Sequence, residues 1–289
     1  MHKENVLVVG LGEVGRTLFE LLKESGEFDV YGLDLNREKM RRITGEREPS
    51  KEIDVMHVCY PCADQEKFVQ TTLQYMRKLK PALTIIDSTV PPGTTQKIHK
   101  LSRSPIAHSP IQGRHKSLET MKKDVAFWGK YVGGTTKESA DAARRHFEKL
   151  GMKVKVLKSP VDTELAKLFE TIYRAWMIAC FQEMHRISIH FGAHFNEVVD
   201  MIDNIHRKDL NKPLHYPDVI GGHCLIPNTE LLLKSYNSEF LRLILESNEK
   251  RKEEVKNAKI RNEVKKIEKR TKALEEYLRK EHGAWLLSC

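Results

Sequence analysis

Val6-Leu7-Val8-Val9-Gly10-Leu11-Gly12-Glu13-Val14-Gly15 is the stretch whose reading decides the fold. Val6–Val9 is an apolar run of strand length, and Val14, Leu18, Leu21 and Leu22 then recur at helical spacing. The glycines of this G-x-G-x-x-G therefore fall on a strand-to-helix turn. Gly10 permits the tight turn, Gly12 leaves no side chain in the path of a pyrophosphate, and Gly15 lets the helix pack close to the strand. The helix N-terminus offers N–H groups to the anion. A second strand-like run, Asp29–Leu33, ends in Asp34. An acid about 20 residues past the glycines holds a ribose 2′-hydroxyl and repels a 2′-phosphate, which favours NAD over NADP, although Arg37, Arg41 and Arg42 follow closely. The cofactor-binding residues expected here are Gly10, Leu11, Gly12, Glu13, Val14, Gly15 and Asp34.

Outward from this turn, strand-like and helical runs alternate. Val55–Cys59, Leu83–Asp87, Ile106–His108, Tyr131–Gly133 and Val154–Leu157 read as strands, with helical patterns such as Ala63–Lys78 and Lys137–Leu150 between them. The alternation predicts an α/β fold with a Rossmann-like, doubly wound parallel sheet and ligands at the carboxyl ends of its strands. The loops at those ends carry Tyr60 and Pro61, Ser88 and Thr89, and Ser109-Pro110, which are expected to border a nicotinamide. Ser159 then reads as an N-cap, Pro160 as the first helical residue and Asp162 as a capping-box partner. The helix that follows spans about Pro160 to Ile189, ~45 Å at ~1.5 Å per residue. It is apolar on more than one face, through Leu168, Phe169, Ile172, Tyr173, Trp176 and Phe181, which points to burial between domains or in a homodimer. A shorter helix, Phe195–Ile205, leads to Gly221-Gly222-His223-Cys224. The tail, Leu241–Leu287, reads as charged helix with a stripe at Ile260, Val264, Ile267, Thr271, Leu274 and Leu278, suited either to a partner helix or to the chain's own body. The expected divisions are a Rossmann-like domain at 1–158, a central helical domain for dimerisation and the active site at 159–235, and a charged helical tail at 236–289.

Composition narrows the partners. A net charge of +9 permits anionic ligands, but no basic run is interleaved with aromatics, which argues against nucleic acid. No apolar run is long enough to span a membrane and the N-terminus has no signal-peptide layout, so the expected location is cytoplasmic. The five cysteines, at 59, 62, 180, 224 and 289, are an odd set for a disulfide framework. Cys59-Tyr60-Pro61-Cys62 has no second cysteine pair to complete a metal site, and His190 and His194 have no clear third ligand, so no metal is expected.

Three further segments stand in order behind the glycine turn: Ser88-Thr89-Val90-Pro91-Pro92-Gly93-Thr94, Thr163-Glu164-Leu165-Ala166-Lys167-Leu168, and Gly221-Gly222-His223-Cys224. Together they resemble the nucleotide-sugar 6-dehydrogenases, the UDP-glucose/GDP-mannose dehydrogenase family, over about residues 4 to 235. His before Cys in the last segment is most similar to members that oxidise N-acetylated amino sugars. The resemblance implies an NAD-dependent oxidoreductase that converts a sugar primary alcohol to the acid in two oxidations. It implies catalytic roles for Cys224 as the nucleophile forming a thiohemiacetal and then a thioester, for Lys167 in stabilising an oxyanion, and for Thr89 in holding a water. It also implies a dimer built on the long helix and a nucleotide-sugar substrate.

The chain departs from the family pattern in four places. Ser109-Pro110-Ile111 stands where the family carries N-P-E, so Ile111 replaces a carboxylate, with Gln112 and His115 nearby. Thr171 takes the position of a helix asparagine and Asn228 that of an aspartate. Residues 235–289 lack strand–helix alternation, so the expected member is a short one without the second nucleotide-binding domain. Two alternatives follow: a two-electron NAD-dependent dehydrogenase of a small hydroxylated substrate using Lys167, or a non-catalytic NAD-binding protein whose helical tail binds a partner.

Overall fold

The structure, a computed structural model, describes residues 3–45, 52–113, 117–210 and 213–282. The chain divides into two compact units, Met1–Leu168 and Phe169–Cys289. In the first unit, β1 (Glu4–Val9) leads through the glycine turn into α1 (Glu13–Ser25), followed by β2 (Phe28–Leu33), α2 (Arg37–Thr44), β3 (Val55–Val58), α3 (Gln65–Leu79), β4 (Leu83–Ile86) and α4 (Thr94–Ser102). The unit continues with β5 (Ile106–His108), α5 (Leu118–Trp128), β6 (Lys130–Gly134), α6 (Lys137–Lys149), β7 (Val154–Val156) and the first turns of α7 (Pro160–His190).

The strands form one sheet in the order β2-β1-β3-β4-β5-β6-β7. Strand alternation distributes its side chains to two cores. Val6 and Val8 pack with Leu18 and Leu22 of α1 and Phe147 of α6. Leu7 and Val9 point the other way, to Phe68 and Leu73 of α3 and Ile98 of α4. With helices on both faces, the fold is the doubly wound, Rossmann-like one read from the sequence, with one correction. The first five strands are parallel, but β6 runs antiparallel to β5, pairing Ala107 with Gly134, and β7 runs parallel to β6. Only Gly129 separates α5 from β6, so the chain re-enters the sheet at once in the opposite direction. A Cβ at Gly129 would lie 2.4 Å from the Lys153 carbonyl oxygen, so this approach requires glycine.

The second unit takes the rest of α7, then α8 (Phe195–Asp209), α9 (Leu225–Ser235), α10 (Glu239–Glu254) and α11 (Ala258–His282). The tail is two helices, broken at residues 255–257. Its stripe is satisfied internally: Val264, Ile267, Thr271, Leu274 and Leu278 are buried, and Ile267, Leu274 and Leu278 pack with Phe181, Phe195, Val199 and Leu214. Of the two roles open to it, the stripe serves the chain's own body. Residues 159–168 lie with the first unit and the tail with the second. Among the described residues, no helix is long and apolar enough to cross a membrane.

Candidate active site

The glycine turn has three distinct geometries. Gly10 adopts φ +88°, a left-handed conformation, and donates its N–H to the Leu33 carbonyl at 2.8 Å. Gly15 lies so close to the turn that a Cβ there would stand 1.8 Å from the Gly10 carbonyl oxygen. Gly12 is the N-cap of α1, with no side-chain cap, and a Cβ on it would meet nothing within 4 Å. Open space thus lies above the first-turn N–H groups of α1, which have no intrahelical acceptor.

Asp34 stands at the end of β2, beside this space. Its Oδ2 accepts from the Leu11 N–H at 2.7 Å and the Lys39 ammonium at 3.4 Å, and its Oδ1 from the Asn36 N–H at 2.9 Å. Burial raises the carboxyl's pKa, but the Asn36 and Leu11 bonds and the Lys39 charge outweigh it and hold it below the ordinary value. A cavity of about 570 Å³ opens here, bordered by Gly10, Gly12, Asp34, Lys39, Tyr60 and Pro61, with Asp64, Lys67, Phe68, Thr71 and Tyr75 of the α3 region on its other side. Of the residues expected from the sequence, Gly10, Gly12, Asp34, Tyr60 and Pro61 line it. Leu11 is fully buried, its N–H already donated to Asp34, and Gly15 is buried in the packing of the turn. Glu13, Val14, Ser88 and Thr89 are not among its lining residues. Lys39 and the α3 face were missed, because nothing in the sequence says which face of a helix meets a cavity.

The loops at the carboxyl ends of β3 and β4 are tied together. Ser88, buried, donates its hydroxyl to the Tyr60 carbonyl at 2.6 Å, with the Val58 carbonyl at 3.1 Å. Beneath it, Asp87 is fully enclosed between Lys130, 3.0 Å from Oδ1, and His57, 2.7 Å from Oδ2. Burial raises the Asp87 pKa, and Lys130 and His57 more than reverse it, so the carboxyl stays below its ordinary range. His57 continues to His146 at 3.0 Å, and His146 to Glu4 at 3.4 Å. Cys59 and Cys62 are buried and outside any disulfide, and burial, with the Asp87 charge, pushes the Cys59 thiol well up.

The first turns of α7 bring in the third segment. Ser159 donates its hydroxyl to the Asp162 carboxylate at 2.8 Å and accepts the Asp162 N–H on its carbonyl at 3.2 Å, so the two side chains pair with each other instead of forming the expected capping box. Glu164 is wholly buried: its Oε2 accepts from the Gly93 N–H at 2.6 Å, its Oε1 from the Thr95 N–H at 2.9 Å and hydroxyl at 2.6 Å. Burial raises its pKa against the pull of these donors. His108 lies between the Ser88 carbonyl, 3.1 Å from Nε2, and the Thr163 hydroxyl, 2.7 Å from Nδ1. Burial lowers its pKa to about 4. Lys167 and Thr89 are half-buried. Ile111 is buried, and His115 lies outside the described residues.

In the second unit, Cys224 is the half-buried N-cap of α9, preceded by Gly222 at φ +81° and an exposed His223. The loop leading to it is held by Gln182, which donates to the Asp218 carbonyl at 2.6 Å, and by Asn248, which accepts from the Ile220 N–H at 2.7 Å. Thr171 and Asn228, read separately as departures, are partners: the Asn228 amide donates to the Thr171 hydroxyl at 3.0 Å, both residues being buried. Glu183 is exposed and paired with Arg186 at 2.9 Å. Among the described residues, no group of three or more His, Cys, Asp or Glu is placed to hold a metal ion.

Residues 161–250 match the profile of the UDP-glucose/GDP-mannose dehydrogenase family, central domain. That stretch resembles the central domain of that family. Lys167, Thr171, Cys224 and Asn228 all fall inside the match. The chain is 28% identical over 287 residues to a UDP-N-acetyl-D-mannosamine dehydrogenase of Methanocaldococcus jannaschii, covering 85% of this chain and 65% of that protein. It thus spans a little under two thirds of the length of the curated relative. A solved UDP-D-ManNAc dehydrogenase of Pyrococcus horikoshii superposes with a TM-score of 0.67 at 22% identity, over 84% of this chain and 68% of that one. A 3-hydroxyisobutyrate dehydrogenase of Mycobacterium tuberculosis shares the fold with a TM-score of 0.62 at 15% identity, over 89% of this chain and 95% of that one. The resemblance read from the motifs therefore holds.

Proposed function

We propose that this chain is an NAD-dependent dehydrogenase of a nucleotide sugar, with a UDP-linked N-acetylamino sugar as the substrate class. The observation that carries this is the match of residues 161–250, with Lys167 and Cys224 inside it, to the central domain of this dehydrogenase family, behind a Rossmann-type glycine turn. The relatives' names supply the substrate class.

The residues present fit the cofactor. A Cβ at Gly12 would project into open space, the space a pyrophosphate needs. Asp34 Oδ1 accepts one N–H bond and keeps a lone pair for a ribose hydroxyl. NAD, when bound, supplies the hydride acceptor. Tyr60, Pro61, Ser88 and Thr89 border its nicotinamide. Lys167 neutralises negative charge developing on the sugar oxygen, and Thr89 orients a water. Cys224 adds to the aldehyde carbon to give a thiohemiacetal. A thioester on its sulfur can be hydrolysed. The chain acts as a cytoplasmic homodimer through α7, an assignment supported by Phe169, Tyr173 and Ile187, which are exposed by 55%, 61% and 51%.

One observation favours a second reading. Ile111 and the neutral Thr171–Asn228 pair leave no carboxylate at either family position, so nothing there activates a hydrolytic water. On this reading the reaction is a single two-electron oxidation relying on Lys167. Both are tested by measuring NADH formation on a panel of UDP- and GDP-sugars with wild type, Lys167→Ala and Cys224→Ala. Loss of turnover in both variants supports the first reading. Survival in Cys224→Ala alone supports the second, and NAD binding without turnover on any sugar refutes the nucleotide-sugar reading.

A further inference from the structure

The segment from Ser88 to Thr95 is fixed at both ends by adjacent residues of α7. At its start, the Ser88 carbonyl can only accept, so His108 Nε2 carries the proton and donates to it. His108 Nδ1 is then left as an acceptor, 2.7 Å from the Thr163 hydroxyl, whose single proton also faces the Pro160 carbonyl at 2.8 Å. At its end, the two oxygens of the Glu164 carboxylate divide three donors, the Gly93 and Thr95 N–H groups and the Thr95 hydroxyl, at 2.6–2.9 Å. All of these residues except Gly93 are buried. Thr89 lies between the two fixed points. Lys167 is three residues beyond Glu164, about one turn along the same helix.

The α4 helix shows that this arrangement is needed. Its N-cap is Gly93, which has no side chain to accept from the first turn; locally, only the Thr94 N–H is shown bonded, to the Pro91 carbonyl at 3.2 Å. Glu164, 71 residues away from Gly93, supplies the acceptor that α2, α3, α5 and α6 obtain from their own N-cap residues.

We propose that Thr163 and Glu164 are positioning residues that register the Ser88–Thr95 loop, and with it Thr89, to the turn of α7 carrying Lys167. The proposal rests on the dehydrogenase reading above. Both groups would be held in one frame before substrate arrives, so that neither must be ordered during the reaction.

The test compares wild type with Glu164→Gln, Thr163→Val and Thr163→Ser. Glutamine keeps one oxygen for Thr95 but turns an NH2 group towards the Gly93 N–H. Valine removes the hydroxyl that reaches His108, and serine restores it. In the full chain with NAD and a UDP-N-acetylamino sugar, Glu164→Gln is expected to lower kcat by about 10- to 100-fold, with KM and the NAD dissociation constant within about threefold. The isotope effect on NADH formation from sugar deuterated at C6 should rise, because a misplaced frame slows hydride transfer itself. Thr163→Val should behave alike more weakly, and Thr163→Ser should recover. A fall in kcat that only tracks the folded fraction, with the isotope effect unchanged, overturns the proposal, as does full activity in Glu164→Gln. Amide hydrogen exchange reads the same clamp without turnover: Gly93 and Thr95 should lose protection in Glu164→Gln while Leu11 and Asn36 keep theirs. Exchange unchanged at Gly93 and Thr95 overturns the proposal. Absence of turnover in wild type overturns the dehydrogenase reading instead, so the two failures are distinguishable.

Discussion

Gly12 and Gly15 belong to one motif, and the structure separates their roles. Alanine at Gly15 places a Cβ 1.8 Å from the Gly10 carbonyl oxygen, which is backbone and cannot swing away. Helix propensity favours alanine by about 1 kcal/mol, but overpacking costs about 1–3 kcal/mol and more where the neighbour is rigid. A net loss of about 2 kcal/mol lowers Tm by roughly 4–8 °C in a chain of this size. Alanine at Gly12 meets no atom within 4 Å, and φ −66° suits it. The poorer N-cap costs about 1 kcal/mol and the stiffer unfolded chain returns about 0.4–1, so Tm should move by less than about 2 °C. The methyl instead stands in the space assigned to the pyrophosphate, and about 2 kcal/mol of lost binding weakens NAD about 30-fold. Thermal melts and calorimetric titration with NAD measure both variants. Unchanged NAD affinity in a folded Gly12→Ala, or a Gly15→Ala that melts with wild type, refutes the reasoning.

Three other outcomes follow from the same structure. Burial holds His108 and His146 at pKa values of about 4 against 6.5 for the free side chain, so their contribution is complete above pH 6.5 and is lost as pH falls towards 4. At pH 5 each loses about 2 kcal/mol, and melts at pH 7.5 and pH 5 should show a clear drop in Tm, whereas a pH-independent Tm contradicts this. Thr171→Val leaves the buried Asn228 amide without its hydroxyl partner and should cost about 1–2 kcal/mol in denaturant titration, while Thr171→Ser should cost little. If α7 builds the dimer, Phe169→Glu with Tyr173→Glu should yield monomer in light scattering, and a dimer that persists places the interface elsewhere.

How legible this protein is in its sequence depends on the range of the interactions involved. The strands are legible because a buried parallel strand is an apolar run such as Val6–Val9, and α7 because its start is marked by Ser159 and Pro160 and its apolar pattern is long. α2 buries no residue fully and sets only Met40 and Ile43 against the core, too short an apolar stripe to read. α4 has no cap signal of its own, because its cap comes from Glu164. The direction of β6 depends on how α5 crosses the fold, which local pattern does not encode. At the site, the glycine turn and Asp34 follow from spacing alone. The pairing of Thr171 with Asn228 spans 57 residues, so two matched changes look like two separate losses. The heptad-like stripe of the tail is the opposite case: its period is plain, but only the fold shows that the chain's own Phe181 and Phe195 cover it.

The central claim is that this chain oxidises a nucleotide sugar through Cys224. The most direct measurement is the number of NADH molecules formed per UDP-N-acetylamino sugar consumed, in wild type and Cys224→Ala side by side. The account predicts two per sugar in wild type, with an acid as product, and loss of the acid in the variant. One NADH per sugar in both proteins, or NAD binding with no NADH at all, would contradict it.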